Sequence, residues 1–440
     1  MKSLLIKNAT VVTLGENNKI LREHSVLIEG DKIKKIAPTK EMNERASEEI
    51  DAKGMLLMPG FINAHMHFYS SFARGLGKAN PSQNFGEVLE NLWWRLDKKL
   101  TLEDSYYSAL VACVDAIKKG TTTLIDHHAS PHYCLGSLKS VANAVLDSGL
   151  RANLCYELSD RDGERIAKEG IEENVEFIRH CQENPNEHLR ALFGLHASFT
   201  LEDATLKKAV EEAKKYKTGF HVHCAEDISD QELTIKKTGK RVVRRLKDAG
   251  VLGSHTILGH CIHLDDEEMD LIANSGSIVV HNPQSNMNNA VGVANLNKLL
   301  SKGILVGLGT DAMTINMIEE LRSALWINHL SNKNPSVGFM ECTGLLTKNN
   351  AAIANRYWNG LGEIKEGNKA DVILMDYHSP TPFDENTFLG HLVFGLSNGV
   401  VDSTIVGGKV LMKHKILQGI DEERIAQRSR ELASKLWERF

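Results

Sequence analysis

The sequence lacks any apolar run approaching the roughly 20 residues needed to cross a bilayer. Its opening stretch, MKSLLIKNATVVTLGE, alternates apolar and polar residues instead of presenting the continuous apolar core and small-residue cleavage site of an export signal. A cytoplasmic protein without a membrane partner is therefore expected. There is no basic excess either: 52 Lys and Arg stand against 57 Asp and Glu, for a net charge of -5, so nucleic acid is not an expected partner. The seven cysteines include no C-x-x-C pair, which argues for reduced thiols in the core rather than a disulfide framework or a structural zinc site. Internal repeats, low-complexity tracts and Pro-rich linkers are absent too, and with them any sign of an added binding module.

What is present divides by texture. At 440 residues the chain is long enough for one large domain with an appendage. Residues 1–58 carry short β-branched alternating runs (4–12, 25–29, 32–36) broken by turn residues, and a similar texture returns over 362–418 in GEIKEGNKADVILMDY and VDSTIVGGKVLMKH. Neither end can make a good core alone, so the two are expected to pack into one composite β-sandwich. The final stretch, 419–440, places Ile425, Ala426, Leu432, Leu436 and Trp437 at helical spacing, which predicts a terminal helix docked on the outside.

Between these ends, residues 59–361 alternate apolar strands with amphipathic helices, the pattern of an α/β fold with a parallel (β/α)8 barrel. The candidate strands are GFINAH, TTTLID, RANLCY, ALFGLH, GFHVH, TILGH, SIVVH and LVGLGTD. Nearly every one stops on His or Asp. A strand buried on both faces should be apolar, so a repeated polar terminus needs a reason, and a polar site converging at the carboxyl ends of barrel strands supplies it.

His65 and His67, one residue apart at a strand end, point to the same side and can chelate a metal. In HVHCAED, His223 can reach a metal while Glu226, slightly further out, stays free for acid-base work; His221 sits deeper and reads as packing or support. Asp311 ends a glycine-rich apolar run, where a buried carboxylate is costly unless it is paired or binds a metal. His260 ends another strand, and His263 lies past it as a helix-entry residue with Asp265 behind it as a cap. Of His127 and His128, alternation aims one inward, and His128 is taken as a substrate contact. Trp93 and Trp94 read more readily as core than as cover for a flat ring. Asn282, Ser285 and Asn286 suit either the rim of a pocket or a turn.

In order, the H-x-H after PGF, the H-x-x-E after the fifth strand, the His after the sixth, HNPQSN after the seventh and GTD after the eighth resemble the amidohydrolase superfamily, more narrowly its deaminase and chlorohydrolase branch. NLWWRLDKKL, IDHHASP and HNPQSNMNNAVG are similar to the aminohydrolases called SsnA. The resemblance covers essentially the whole chain. It implies a distorted TIM barrel with the composite sandwich, and one divalent metal, zinc foremost and iron also suited, on His65, His67, His223 and Asp311. It places Glu226 and His260 with Asp311 as the catalytic groups around the bound water, and His196 at the substrate. The dinuclear relatives carry a carboxylated Lys at the end of the fourth strand, whereas GLHASF has none, which favours one metal. The implied substrate is a small aminated heterocycle, purine- or pterin-like, and the implied assembly a homodimer. Three readings stay open: an aminohydrolase, a hydrolase displacing chloride or another group, and a catalytically silent scaffold.

Overall fold

The computed structural model describes residues 3–440. Two all-parallel sheets build its centre. Phe61–Met66, Thr121–Asp126, Arg151–Leu154 and Leu189–Ala191 form a sheet of four, and Phe193–Ala197, Phe220–Cys224, Ile257–His260, Ile278–His281 and Val306–Leu308 a sheet of five. Their apolar side chains are buried on both faces, as helix-covered parallel strands require. The run ALFGLH, read above as one strand, is broken at Leu192. Leu189–Ala191 pairs with Arg151–Leu154, whereas Phe193–Ala197 pairs with Phe220–Cys224. The strand ending in LVGLGTD likewise stops at Leu308, three residues before Asp311.

Where the two sheets meet, side chains replace the missing ladder bonds. At one seam Leu158 bridges Leu195, and fully buried Asn174 accepts from the amides of Tyr156 and Gly194 at 3.0 Å each while donating to both their carbonyls at 2.9 and 3.4 Å. At the other, Met66 bridges Asp311, and fully buried Asn350 accepts from the Leu308 amide at 2.7 Å and donates to the carbonyls of Ile62 and Leu308 at 2.6 and 2.8 Å. An amide side chain offers both donors and acceptors, which is what a seam between strands needs.

The two ends of the chain join in one nine-stranded sheet. Leu56–Pro59 lies between Ser3–Val12 and Val372–Asp376, antiparallel to the latter, which in turn pairs with Val400–Val406. Alternation explains how this sheet is used. Leu57, Val372, Leu374 and Ile405 belong to its own core, whereas Leu56, Met58, Ile373 and Met375 face the opposite way into the large core shared with the parallel strands. A buried bidentate pair also crosses this junction, with Arg151 Nε and Nη2 donating to Asp371 Oδ2 and Oδ1 at 2.6 and 3.0 Å.

The terminal helix, Glu422–Arg439, buries Leu432 and Leu436 against Tyr69, Phe72, Leu96 and Leu100, and Trp437 Nε1 donates to the Phe72 carbonyl at 2.8 Å. It thereby braces residues 68–100, the excursion after the first parallel strand. Among the described residues, no helix is long and apolar enough to cross a membrane.

Replacing Asn174 with Ala leaves the buried amides of Tyr156 and Gly194 without an acceptor, while their carbonyls keep the Leu158 amide. We expect a loss of about 3 kcal/mol in urea unfolding, since each unsatisfied buried group costs on the order of 1–3 kcal/mol. A loss below about 1 kcal/mol would show that water can take over the seam.

Candidate active site

His65, His223, His260 and Asp311 meet at the carboxyl ends of the parallel strands, and His67, which also groups with His127, Glu157 and His223, lies against Asp311 and His223; all are buried. The backbone there is contorted: Ala225, His260, Cys261 and Asp311 all adopt positive φ, between 48° and 68°. That conformation costs a residue with a Cβ about 1–2 kcal/mol and gathers at functional sites. It turns Asp311 back toward the first strand, where the amides of Thr310 and Asp311 donate to the His65 carbonyl at 2.9 and 3.0 Å.

Hydrogen bonding fixes which ring nitrogens are free. His67 Nδ1 donates to the His127 carbonyl at 2.5 Å and His223 Nδ1 to the His196 carbonyl at 2.9 Å, so in the neutral rings both Nε2 atoms carry lone pairs. These two nitrogens face each other at 3.2 Å. His65 is fixed by a longer relay. The Cys155 thiol donates to the Asp126 carbonyl (3.5 Å) and accepts from His221 Nδ1 (3.7 Å), which leaves His221 Nε2 to accept from His65 Nδ1 at 2.8 Å. His65 Nε2 is thus an unpartnered buried acceptor. Asp311 Oδ1 lies 3.0 Å from His67 Nε2 and 3.7 Å from His65 Nε2.

Three imidazole lone pairs and a carboxylate therefore converge, acceptors facing acceptors. Positive charge is the remedy for such a cluster. Although burial opposes it, Asp311 and Glu157 push the His67 imidazole well above its ordinary value, a sign of the same demand. Three nitrogens and one oxygen suit a single divalent ion, with zinc and ferrous iron both matching this donor set.

Beside this cluster Glu226 Oε2 lies 3.5 Å from His260 Nε2, and that nitrogen is 3.7 Å from Asp311 Oδ2. Asn286 Oδ1 accepts from His260 Nδ1 at 2.9 Å, so His260 Nε2 carries the lone pair; Ser285 donates to Asp311 Oδ2 at 2.5 Å. Burial, then the Asp311 charge, push the Glu226 carboxyl well above the usual carboxylate range. Ser285 and Asn286 thus serve the site directly. Asp265 caps the helix Asp266–Ser275 as expected.

A cleft opens onto His67, His223, Glu226, Ser285 and Asp311, and His196 lines it. His128 does not. It is fully buried, its Nε2 3.0 Å from Ser130 Oγ and its ring 6.0 Å from that of Tyr69, which does line the cleft. The cleft also exposes groups that sequence reasoning passed over: Glu157, Arg161 and Asp97; Trp93 and Trp94 pack against hydrophobic clusters and form part of the cleft wall as well. Arg161 is held by Asp97 and Asp162, and its guanidinium lies 5.3 Å from the Trp94 ring. Glu157 follows the third strand, whose reading stopped at Tyr156; the rule that a strand ends on a polar residue would have found it one position further on.

Fold and site together define a metal-dependent hydrolase type of centre on parallel α/β architecture. Residues 56–411 match the Amidohydrolase family, and the chain belongs to it. It is 32% identical over 443 residues to a 5-methylthioadenosine/S-adenosylhomocysteine deaminase of Pelotomaculum thermopropionicum, covering 99% of both chains. It is also 32% identical over 435 residues to a 5'-deoxyadenosine deaminase of Methanocaldococcus jannaschii, covering 98% of both. Among solved structures it resembles an adenosine deaminase from Xanthomonas campestris with bound zinc, with a TM-score of 0.86, 20% identity and coverage of 99% and 98%. An atrazine chlorohydrolase from Arthrobacter aurescens complexed with zinc gives a TM-score of 0.83 at 22% identity, covering 98% of this chain and all of that one.

A buried carboxyl supports the segment that carries Ser285. Glu320 Oε1 accepts from the Gln284 amide at 2.9 Å, and burial pushes its carboxyl up to about 8. A carboxyl raised in the folded state stabilises the fold fully below its ordinary value of 4.5; that contribution is lost as pH rises from there to about 8. Glu320→Gln, which keeps the acceptor, should match the native protein in Tm at pH 4.5 and exceed it by a few degrees at pH 8. Equal melting temperatures across that range would remove the titration from Glu320.

Proposed function

We propose that this chain is a metal-dependent aminohydrolase acting on an aminated N-heterocycle, purine- or pterin-like, with one divalent ion held by His65, His67, His223 and Asp311. The observation that carries this reading is the ring of facing acceptors with the buried Glu226 carboxyl, which burial disposes to keep its proton, 3.5 Å from His260 beside it. The relatives' names as deaminases of adenine nucleosides support the reaction class. When bound, the ion would activate water by lowering its pKa from about 15.7 toward about 7.

The protein's own groups handle the protons. His260 Nε2 and Asp311 Oδ2 accept the first proton from water. Glu226 gives its proton to the ring nitrogen beside the amine-bearing carbon as the water oxygen bonds to that carbon. The proton held by His260 and Asp311 passes to the amine, the C–N bond breaks and ammonia leaves. The hydroxyl proton that remains returns to Glu226, and the ring keeps the oxygen as a carbonyl. His196, which lines the cleft, contacts the ring, and His128 packs behind Tyr69 in the cleft wall.

We read the two parallel sheets as one distorted (β/α)8 barrel spanning 59–361. In the same reading 1–58 and 362–418 make the β-sandwich, 419–440 is the terminal helix, and the enzyme is a cytoplasmic homodimer.

Metal analysis and ammonia release over aminopurines, aminopterins and aminopyrimidines test this together. About one zinc or iron per chain with ammonia is the expected result. Chloride release without ammonia would transfer the same site to a dechlorination, and no metal would leave a silent scaffold. Glu226→Gln should keep the metal and lower kcat by about 10²- to 10⁴-fold; full activity would remove Glu226 from the proton path.

A further inference from the structure

Of the buried acids in the cleft to which this mechanism gives no task, Asp97 pairs with Arg161 and Asp230 accepts from the Ala225 amide, which leaves Glu157. Its side chain lines the cleft beside the metal cluster, the residue is only 5% exposed, and its Oε1 has no hydrogen-bond partner. The neighbours do not supply one. His67 Nδ1 is 3.2 Å away, but its proton is spent on the His127 carbonyl. His127 Nδ1 lies at 3.6 Å without hydrogen-bond geometry, and His196 Nε2 is 3.8 Å from Oε2. The backbone holds the residue in place, its amide donating to the His128 carbonyl at 2.8 Å. Oε1 is shut in between the His67 and His127 rings, so the oxygen left for a donor that arrives with a ligand in the cleft is Oε2, 3.8 Å from His196 Nε2. A carboxylate oxygen at a cleft wall with no protein donor is built for such a partner, since an unsatisfied acceptor costs on the order of 1–3 kcal/mol.

The two cleft glutamates stand on different sides of the cluster. Glu226 adjoins His260, beyond the fifth and sixth strands, whereas Glu157 adjoins His67 and His196. A substrate whose amine-bearing carbon reaches the centre therefore presents one flank to each. Glu226, as proton donor, needs a ring nitrogen without hydrogen. Glu157, as acceptor, needs an N–H. In an adenine-type ring the amine-bearing carbon is flanked by a bare nitrogen and by a carbon, so Glu157 would stay unpaired. In a cyclic amino-lactam, such as the 2-amino-4-oxo edge of guanine- and pterin-like rings, it is flanked by a bare nitrogen and by an N–H.

We infer that Glu157 is a specificity-determining, substrate-contacting residue that accepts this ring N–H, and that the substrate is an amino-lactam heterocycle rather than an adenine-type amine. This rests on the aminohydrolase reading above. It separates the chain from what its named relatives act on, because an acceptor left unpaired is the strongest discriminator a pocket has.

The test uses the full-length zinc-loaded enzyme. Ammonia release is measured with guanine, pterin, their derivatives methylated on the lactam nitrogen, adenine and adenosine. We expect release from the unmethylated amino-lactams, with kcat/KM about 10⁴-fold lower for the N-methyl and adenine-type compounds. Comparable rates from adenine or from the N-methyl compounds would overturn the role of Glu157 and leave the aminohydrolase reading standing. No ammonia from any of these rings or from the wider panel, with metal bound, would remove that reading and the inference with it.

Two variants separate contact from support. Glu157→Leu should flatten the preference at unchanged zinc content and unchanged resistance to chelators, and Glu157→Gln, which keeps an acceptor, should restore part of it. An equal loss on all substrates with weakened zinc retention would assign Glu157 to holding His67 instead, and would overturn the proposal.

Discussion

Everything at the centre of this protein follows from a set of lone pairs that are forced to face one another. Nothing about a lone histidine makes it a ligand. What distinguishes His67 and His223 is that each has already spent its Nδ1 proton on a backbone carbonyl, so two bare nitrogens meet at 3.2 Å. Alone, such an arrangement is repulsive, and a positive charge among the lone pairs relieves it; folding therefore builds a demand for charge into the floor of the cleft. The thiol-to-imidazole relay through Cys155 and His221 does the same for His65 by a different route.

That centre sits where the two parallel sheets meet, and the seams explain how it keeps its shape. The run ALFGLH breaks at Leu192 and Asp311 turns back with positive φ, so the ladder is interrupted on both sides of the centre. Asn174 and Asn350 stitch the two gaps without restoring the regular spacing. Behind them the nine-stranded sheet, tied by Arg151 and Asp371, closes one side of the core with strands from both chain ends.

Much of this was legible in the sequence, for a definable reason. Polar residues at the ends of strands buried on both faces contradict the pattern around them, and His65, His223, His260 and Asp311 stood out on that ground. The joining of the two β-rich ends could be read from their lack of a core, though not their register. Other features were hidden because they depend on distant contacts. Nothing in the apolar run ALFGLH marks the break at Leu192. Trp93, Trp94 and Asp97 face the cleft because the excursion carrying them is braced by the terminal helix through Leu432, Leu436 and Trp437, more than 300 residues away in sequence. Periodicity within the excursion carries no trace of that brace, so those tryptophans looked like core alone.

The parts of the site differ in what encodes them. The acceptors that orient His67 and His223 are main-chain carbonyls, those of His127 and His196, at the ends of neighbouring strands. Main-chain groups survive any substitution that preserves sheet register, so this half of the geometry is fixed by topology and tolerates wide divergence of sequence. Trp94 and Asp97 sit instead on the helical excursion after the first strand and Arg161 beyond the third, held to one another by side-chain pairs that one substitution can break. Reaction chemistry and substrate choice are thereby placed on separate supports, and a chain can keep the first while altering the second. A relative's substrate is for that reason a weaker guide to this enzyme than its metal, and the cleft wall is where the difference has to be sought.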